Sequence, residues 1–479
     1  MTKKFGKAFK KVKKINNKIK KYTKEKYLGF LINEFSNNFK IPKYVIEKET
    51  KQIISRNYDY ANDKILKIKS WKNFIKNLFL TFGISILIIF TFFFKKKITK
   101  KKEFEIIVDG ALKQNEAFHF NEIIKNFNKV CFISKKKFLK NKNIYYFNHK
   151  NFFITNNSYS LLVRLKFLYF VFLIFITSLI SLKNFYFIFF EIIYKLLKYN
   201  FIFNSVISKS YIQSKFYDTS ALKNYLFKIN GGKITSCTQK NLLEVGLSSF
   251  INTDVFFSIG KNTGSLLREL DGECKKIFPV GSLYMEADWF KKRKDLKNVE
   301  KTDLLVIGIN TVLRHYKLHI TEAFDKNYYK FINWVAVFSK KFPKLRIVIK
   351  HHANFPHDPK EYEIIKNSNI KLQIINKSVN GSYAHAFKSK VLCSFGSTMI
   401  FELLGHNVPG FYVDPNFENQ QFFELLPQSK IWRLNNYNKF EKKLLKIIHG
   451  KKLEIRNKDF YCLNSKNVSK RISNFLKNY

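Results

Sequence analysis

Residues 391–405, VLCSFGSTMIFELLG, contain the pattern that decides the fold. A buried strand at 390–393 runs into a short polar turn with a glycine, and a helix follows that ends at a second glycine. In open sheets of parallel strands, ligands bind beyond the carboxyl ends of the strands. The segment therefore predicts a doubly wound α/β domain with a ligand site at the end of one strand.

Two polar residues of this turn, Ser397 and Thr398, are suited to holding a phosphate. Hydroxyl groups and the N–H groups at a helix start are good hydrogen-bond donors to anions. Glu402 follows Thr398 by four residues, so the two share a helical face, where a carboxylate is able to accept hydrogen bonds from ribose hydroxyls. The alternative interpretation is an ordinary capped helix whose early Glu complements the helix dipole.

A second polar group, Lys350, His351 and His352, follows the predicted strand at 345–349. Cationic side chains at this place are suited to stabilising a diphosphate leaving group. The histidine spacing matches neither a helical H-E-x-x-H motif nor a zinc finger, so we predict no metal site.

Strand-like runs alternate with helical patterns in both halves of the chain, which indicates two Rossmann-like domains with doubly wound parallel sheets. These runs lie at 104–108, 129–134, 233–237, 254–258 and 276–280, and then at 303–307, 345–349, 370–375, 390–393 and 410–413. We predict the following parts: an N-terminal basic and hydrophobic helical extension at 1–100, a first domain at 101–290 with an apolar helical insertion at 160–200 inside a helical block at 160–228, a second domain at 303–436 and a helical tail at 437–479.

The 479 residues carry a net charge of +52, from 87 Lys and Arg against 35 Asp and Glu. Such a charge favours a polyanionic partner, and an anionic membrane satisfies it as well as nucleic acid does. Only nine of the basic residues are Arg, the side chain that nucleic-acid readers use for bidentate contacts, so no specific nucleic acid is expected. The five cysteines form no C-x-x-C pair, which indicates a reducing compartment.

Three segments indicate contact with a membrane. Residues 1–26 contain twelve lysines and an apolar stripe at helical spacing, as in helices that lie on anionic leaflets; the stripe is formed by Phe5, Phe9, Val12, Ile15, Ile19 and Tyr22. A solvated basic tail and a nucleic-acid-binding arm are the alternatives for this segment. Residues 78–94 are free of charge, and a second apolar region runs from 167 to 190, broken by Lys183. We interpret both as membrane-embedded or interfacial helices, with true spans and buried core helices as the open alternatives.

The order of motifs in the second half resembles the C-terminal domain of GT-B glycosyltransferases. It reads Lys-x-His after one strand, then Ser-x-x-Ser-Thr-x-x-x-Glu-x-x-Gly after another, then Pro-Gly before a last strand. The likeness is to the capsule and surface-polysaccharide enzymes and the related CDP-glycerol glycerophosphotransferases. It implies that the donor's nucleotide diphosphate binds in the second domain, with its phosphates at Lys350, His352, Ser397 and Thr398 and its ribose at Glu402; His351, Ser394 and Gly396 complete this predicted donor site.

The first half is similar to the same family in Gly232-Lys233 followed by Gln239, and in Asp254–Gly260 followed by Pro279–Ser282. Gln239 is assigned to the cleft, together with Gly308 and Asn310 after the strand at 303–307. The chain departs from the family where Lys-Pro-His-Pro reads Lys-His-His-Ala at 350–353, and where Lys-Asn stands after Gln239 in place of His-Gly. A binding-only member of the fold is therefore an open alternative.

The resemblance also requires a base in the first domain to deprotonate the acceptor hydroxyl. Asp109, at the end of the first strand, has the right place in the topology, and His119 follows on the next helix. We assign the catalytic role to these two residues, with a surface location as the alternative for Asp109. No metal-binding Asp-x-Asp motif is present, so no metal or other cofactor is expected.

These observations together predict a metal-independent glycosyltransferase at the cytoplasmic face of a bacterial inner membrane, peripheral or embedded. It would move a sugar from a nucleotide-sugar donor to a lipid-linked or surface polysaccharide acceptor. The alternatives are a polyol-phosphate transferase of the CDP-glycerol type, a non-catalytic membrane scaffold of the same fold, and a nucleic-acid-binding protein.

Overall fold

Two separate parallel sheets organise the chain. The computed structural model describes residues 7–57, 71–90, 101–110, 114–134, 136–137, 139–148, 160–214, 219–239, 249–290, 299–308, 322–351, 358–374, 382–395, 397, 399–415 and 429–478. Within them the first sheet has seven strands and the second has six, and every neighbouring pair is parallel.

The strands of the first sheet lie in the order β3-β2-β1-β4-β5-β6-β7. Their bounds are β1 Lys102–Asp109, β2 Val130–Ile133, β3 Ile144–Phe147, β4 Val206–Gln213, β5 Ile234–Thr238, β6 Asn252–Ser258 and β7 Glu273–Pro279. The strand order reverses between β1 and β4, which is where doubly wound sheets open a crevice.

The second sheet has the order β10-β9-β8-β11-β12-β13 and reverses between β8 and β11. Its strands are β8 Thr302–Ile307, β9 Ile347–His351, β10 Ile370–Ile374, β11 Ser389–Ser394, β12 Gly410–Val413 and β13 Arg433–Leu434. Two doubly wound parallel sheets in series confirm the predicted pair of Rossmann-like domains.

Helices precede and connect these strands. In the N-terminal half they are α1 Lys7–Tyr22, α2 Lys26–Phe39, α3 Lys43–Asn57, α4 Trp71–Phe90, α5 Gln114–Ile124, α6 Leu161–Ser181, α7 Tyr186–Ser205, α8 Ala221–Ile229, α9 Lys261–Glu269 and α10 Leu283–Met285, which continues as a π-helical turn over Glu286–Phe290. In the C-terminal half they are α11 Glu322–Lys341, α12 Pro359–Ile365, α13 Ser382–Phe387, α14 Met399–Gly405, α15 Ser429–Trp432, α16 Tyr437–Ile448 and α17 Val468–Lys477, with a short 3-10 helix at Lys458–Phe460.

The predicted helical block at 160–228 is wrong in its middle, because β4 lies inside it at the centre of the first sheet. The sequence VISKSYIQ carries serines and a lysine where a central strand usually has an apolar run. Ser208 compensates locally, since its buried Oγ accepts a hydrogen bond from Ser210 N at 3.2 Å. Because hydrogen bonds allow polar side chains to be buried in this strand, hydrophobic periodicity alone does not predict it.

The apolar stripe of α1 does not face a membrane in this structure. Val12, Ile15, Ile19 and Tyr22 are buried against protein. Some of the lysines are also engaged: Lys13 Nζ lies 2.8 Å from Glu269 and Lys20 Nζ 2.5 Å from Asp271. The helix is amphipathic as predicted, but its apolar side packs against the first domain. Phe5 and Phe9 lie outside the residues whose burial is described.

The two apolar regions form separate helices. Residues 78–94 fall mostly in α4, and their last four lie outside the described part of the chain. The region at 167–190 covers most of α6 and the start of α7, with a break where Leu182 takes a left-handed conformation after α6. By length and composition, α6 is the one described helix able to cross a membrane, although 39% of its apolar window is buried inside the protein.

A C-terminal strap, residues 449–467, leads from α16 on the second domain to α17 on the first. Its backbone passes close to glycines of both domains: a Cβ placed at Gly260 would lie 2.4 Å from Tyr461 O, and one at Gly405 would lie 2.3 Å from Cys462 O. Gly281, with φ +103°, approaches Leu463 O in the same way. The three glycines let one stretch of backbone lie against both domains at once.

We expect Gly405→Ala to destabilise the protein by about 1–3 kcal/mol, because the added methyl would displace the strap backbone. Gly83→Ala on α4 is the control, since a Cβ there meets nothing within 4 Å. In that exposed helical setting alanine should be neutral or stabilising by up to about 1 kcal/mol. Urea unfolding midpoints of the two variants and wild type measure the difference, and equal midpoints for Gly405→Ala and wild type would contradict the close approach.

Candidate functional site

The carboxyl edge of the second sheet brings together several predicted site residues. Ile307 at the end of β8 pairs with Lys350 on β9 and with Ser394 on β11, so the three strands end level with one another. Gly308 continues β8, and its N–H donates to Lys350 O at 3.0 Å. This edge contains the reversal of strand order between β8 and β11, where the sequence predicts the ligand site.

Lys350 places a positive charge inside this edge. Its side chain is 2% exposed, and its Nζ donates to Ser382 Oγ on α13 at 2.8 Å. The charge is felt nearby: burial first, and then the charges of Lys350 and Lys388, lower the pKa of His385 to about 4. Lys350 therefore supplies a buried positive charge at this edge, which favours an anionic ligand.

His351 lies beside Lys350, and a buried glutamate on α12 contacts its ring. Its Nε2 is 2.6 Å from Glu361 Oε1 on α12, and the other oxygen of Glu361 accepts a hydrogen bond from Tyr328 Oη on α11 at 2.8 Å. The imidazole also lies against Gly308, where a Cβ would come within 2.4 Å of the ring. The sequence predicts His351 and Gly308 as site residues. Glu361 and Tyr328 carry no motif and reach the site only through the fold.

The turn between β11 and α14 is closed by its own serines. Ser397 N donates to Ser394 Oγ at 3.1 Å, and Met399 N donates to Ser397 Oγ at 3.3 Å. Ser397 thus caps the first N–H of α14, which has only seven residues. The alternative interpretation of a capped helix describes these contacts, and phosphate binding by Ser394 and Ser397 stays a prediction.

Glu402 bridges the two domains. The carboxylate is buried, and its Oε2 accepts hydrogen bonds from Ser282 Oγ at 2.5 Å and from Tyr383 Oη at 2.6 Å. Ser282 belongs to the first domain and also caps α10 by accepting from Met285 N. The role of Glu402 at the donor's ribose stays a prediction. The contacts that the structure shows are hydrogen bonds, one of which joins the two domains.

Asp109 ends β1 at the strand-order reversal of the first sheet, as its place in the sequence predicts. The side chain is buried, and its Oδ2 accepts from Tyr211 Oη at 2.5 Å, Tyr199 Oη at 2.8 Å and Lys223 Nζ at 3.2 Å. Burial opposes its ionisation, but the charges of Lys223 and Lys198 and the two tyrosine hydrogen bonds hold the pKa of Asp109 well below its usual range. Such a carboxylate is a weak proton acceptor, so a role as the base stays a prediction that these contacts do not favour.

His119 and Gln239 occupy buried positions in the first domain. The centroid of the His119 ring on α5 lies 4.1 Å from that of Tyr284 on α10, two residues after Ser282. Gln239 follows β5, and its Oε1 accepts from Ile259 N at 2.9 Å, which joins the carboxyl ends of β5 and β6. Neither contact tests a catalytic or binding role.

Four predicted site residues, His352, Gly396, Thr398 and Asn310, lie outside the described residues. In the part of the chain that is described, no group of three or more His, Cys, Asp or Glu side chains is placed to hold a metal ion.

Comparison with known proteins gives a likeness in fold alone. No protein-family model matches the chain, and no curated protein matches it in sequence. Among solved structures, the wall teichoic acid polymerase TagF aligns over 85% of this chain and 97% of its own, at 11% identity and a TM-score of 0.43. The UDP-GlcNAc 2-epimerase from Neisseria meningitidis bound to UDP-GlcNAc aligns over 79% of this chain and 100% of its own, at 11% identity and a TM-score of 0.42.

The E. coli heptosyltransferase WaaC with ADP aligns over 71% of this chain and 99% of its own, at 9% identity and a TM-score of 0.33. These values concern the course of the chain through two Rossmann-like domains.

Proposed function

We propose that this chain is a GT-B-fold transferase that uses a nucleotide-diphosphate donor, bound at the carboxyl edge of the second sheet. The observation that carries the proposal is the charge of Lys350, buried at the end of β9 beside His351 and one strand from the reversal of strand order. A positive charge in a low-dielectric interior acts strongly on a nearby anion. It suits the diphosphate, which gains negative charge as the bond to the transferred group breaks.

The transferred group is a sugar in our proposal, and the acceptor is a lipid-linked or surface glycan. A hydroxyl of the acceptor would attack the anomeric carbon, the carbon–oxygen bond to the diphosphate would break, and the hydroxyl proton would pass to a base in the first domain. The Ser282–Glu402 contact keeps the two domains in register across the cleft. A CDP-glycerol donor would bind by the same diphosphate contacts, and the panel below separates the two donors.

We expect Lys350→Met to weaken nucleoside diphosphate binding roughly 10–100-fold, the loss that follows when one charged contact is removed. The panel is UDP, CDP, GDP and ADP with their common sugar or glycerol conjugates, measured by calorimetry in mild detergent at fixed salt. Lys344→Met removes an equal charge from the exposed residue three positions before β9 and should leave the affinity unchanged. Wild type that binds none of these ligands contradicts the transferase proposal, and salt-sensitive RNA binding in its place would favour the nucleic-acid alternative.

We further propose that the first domain lies on the cytoplasmic leaflet of a bacterial membrane through an apolar face on α4 and α6. This apolar face is formed by Ile75, Phe79, Phe82, Leu165, Tyr169 and Phe172, all between 44% and 70% exposed. Arg164 near the start of α6 hydrogen-bonds Ile88 O near the end of α4, so the helices run antiparallel. A groove of about 680 Å³ with aliphatic and aromatic walls separates them.

The opposite side of α6 explains why we place this face flat on the membrane. Phe167, Phe170 and Ile174 are buried, and Phe170 packs against Phe35 of α2 with ring centroids 5.1 Å apart. A helix attached to protein along its length offers lipid only its outer side, which is the geometry of an interfacial helix. Lys76 on α4 and the run of lysines at 95–97 that follows it in sequence supply positive charge for an anionic leaflet.

A further inference from the structure

Behind the predicted donor edge, three side chains from three elements form one hydrogen-bonded series. Tyr328 on α11 donates to Glu361 Oε2 on α12 at 2.8 Å, and Glu361 Oε1 is 2.6 Å from His351 Nε2 at the end of β9. Tyr328 and Glu361 are fully enclosed, and the His351 side chain retains 12% of its exposure. The series therefore runs from the core outward and ends at the imidazole.

The contacts fix the orientation of that imidazole. A carboxylate only accepts hydrogen bonds, so the nitrogen facing Glu361 carries a hydrogen and the tautomer of a neutral ring is set. The ring lies against Gly308, where any larger residue would overlap it. Rotation about the side-chain bonds of His351 is thus restricted both by a hydrogen bond and by a steric contact.

The His351 ring lies at the predicted donor edge, next to a buried positive charge. His351 follows Lys350, whose charge is buried at the same edge, and it adjoins the end of β8 through Gly308. A buried carboxylate next to this edge would by itself repel a diphosphate. The Glu361 carboxylate instead accepts the hydrogen of Nε2, so Nδ1 is the ring nitrogen that would contact a ligand at the edge. Nδ1 donates to a phosphate in the doubly protonated ring, whose positive charge the Glu361 carboxylate balances.

We propose that Glu361 and Tyr328 are positioning residues for the donor's diphosphate and act through His351. This inference rests on the proposed function and deepens it, because it assigns the second phosphate of the donor to the His351 side of the edge. Tyr328 holds Glu361, Glu361 holds His351, and the imidazole contacts the phosphate. Neither positioning residue touches the nucleotide.

The test compares nucleoside diphosphates with monophosphates by calorimetry, using UDP against UMP and CDP against CMP. Glu361→Gln keeps the shape of the side chain and an acceptor for His351 but removes the charge. We expect it to weaken diphosphate binding roughly tenfold and to leave monophosphate binding unchanged. Tyr328→Phe should give a smaller loss in the same direction. A general packing defect would lower both affinities together.

Tyr329→Phe is the matched control, because the neighbouring tyrosine hydroxyl donates to Asp358 Oδ2 at 2.7 Å and has no part in the series. It should bind diphosphates as wild type does. Thermal melting of every variant confirms that the folded state is present.

A double-mutant cycle decides whether Glu361 acts through His351. In a His351→Gln background, adding Glu361→Gln should cause no further loss of UDP or CDP affinity. Losses that multiply in the double variant, or equal losses for monophosphate and diphosphate, overturn the inference while the proposed function stands. Wild type that binds no nucleotide overturns the proposed function and this inference together.

Discussion

Replacing Lys195 with methionine should destabilise the protein by about 3–5 kcal/mol, the cost of leaving a buried charge without its partner. Lys195 Nζ on α7 lies 2.5 Å from Glu49 Oε1 on α3, and the Glu49 carboxylate is completely buried. Its other oxygen accepts from Ser220 Oγ at 2.6 Å and Leu222 N at 3.1 Å. One carboxylate thus ties the N-terminal helices to α7 and to the start of α8.

The Glu49 carboxylate also makes the stability of the protein depend on pH in the acid range. Burial alone would raise the pKa of Glu49, but the charges of Lys195 and Arg56 and the hydrogen bonds from Lys195 and Ser220 lower it to about 2. A lowered carboxylate pKa contributes stability above the unfolded value of 4.5, and this contribution is lost as the pH falls towards 2. Glu49→Gln should therefore show a shallower loss of stability over that interval than wild type.

Lys125→Met provides the control for Lys195→Met. It removes a lysine of the same length whose partner, Glu122, lies 2.6 Å away at the surface. Exposed ion pairs are worth about 0–1 kcal/mol, so this variant should unfold almost as wild type does. Denaturant unfolding at pH 7 measures both variants, and similar midpoints for the two would show that the buried network contributes little.

Placing glutamate on the apolar face, by Phe79→Glu with Phe172→Glu, should reduce binding to anionic vesicles by more than tenfold. These side chains are 69% and 60% exposed, so the changes remove contact with lipid without opening the core. Moving charged side chains into the apolar part of a bilayer costs several kcal/mol, and the lysines nearby cannot offset it. Co-sedimentation with vesicles of phosphatidylcholine and phosphatidylglycerol measures the effect.

Val337→Glu is the matched control, since Val337 is also exposed but lies on α11 of the second domain. It should bind vesicles as wild type does. High salt should weaken the wild-type interaction only in part, because the apolar contribution is insensitive to screening. Undiminished vesicle binding by the double glutamate variant would refute the assignment of the membrane surface to α4 and α6.

The predictable part of the fold is the part that local pattern determines. The strands at 303–307 and 390–393 are central in the second sheet and read as short apolar runs, which is why both were found. β4 is equally central but contains serines, and the sequence pattern predicts helix there instead of strand. The α1 stripe was correctly recognised as amphipathic, yet its spacing is the same for a helix that packs on protein and one that lies on lipid.

The candidate site shows the same division. Lys350 and His351 are predicted site residues because they follow a strand, and strand ends are ligand positions in parallel sheets; the structure places both at the end of β9. Glu361 could not be found, because its contact with His351 depends on how α12 returns over β9. Glu402 was selected for its helical spacing, but its partner Ser282 stands 120 positions earlier in the chain. A carboxylate's partner across a domain boundary leaves no local trace.

The return of the C-terminus to the first domain has a consequence for the order of folding. Val468, Ile472 and Leu476 of α17 share a core with β1 and α5, and Phe475 packs on Phe278 at 5.0 Å between ring centroids. In the order of the chain, α17 comes after the whole second domain, so during synthesis this side of the first sheet lacks α17 until the second domain has been made. We expect part of the apolar surface of the first domain to stay accessible to chaperones during that interval, while the second domain is being made.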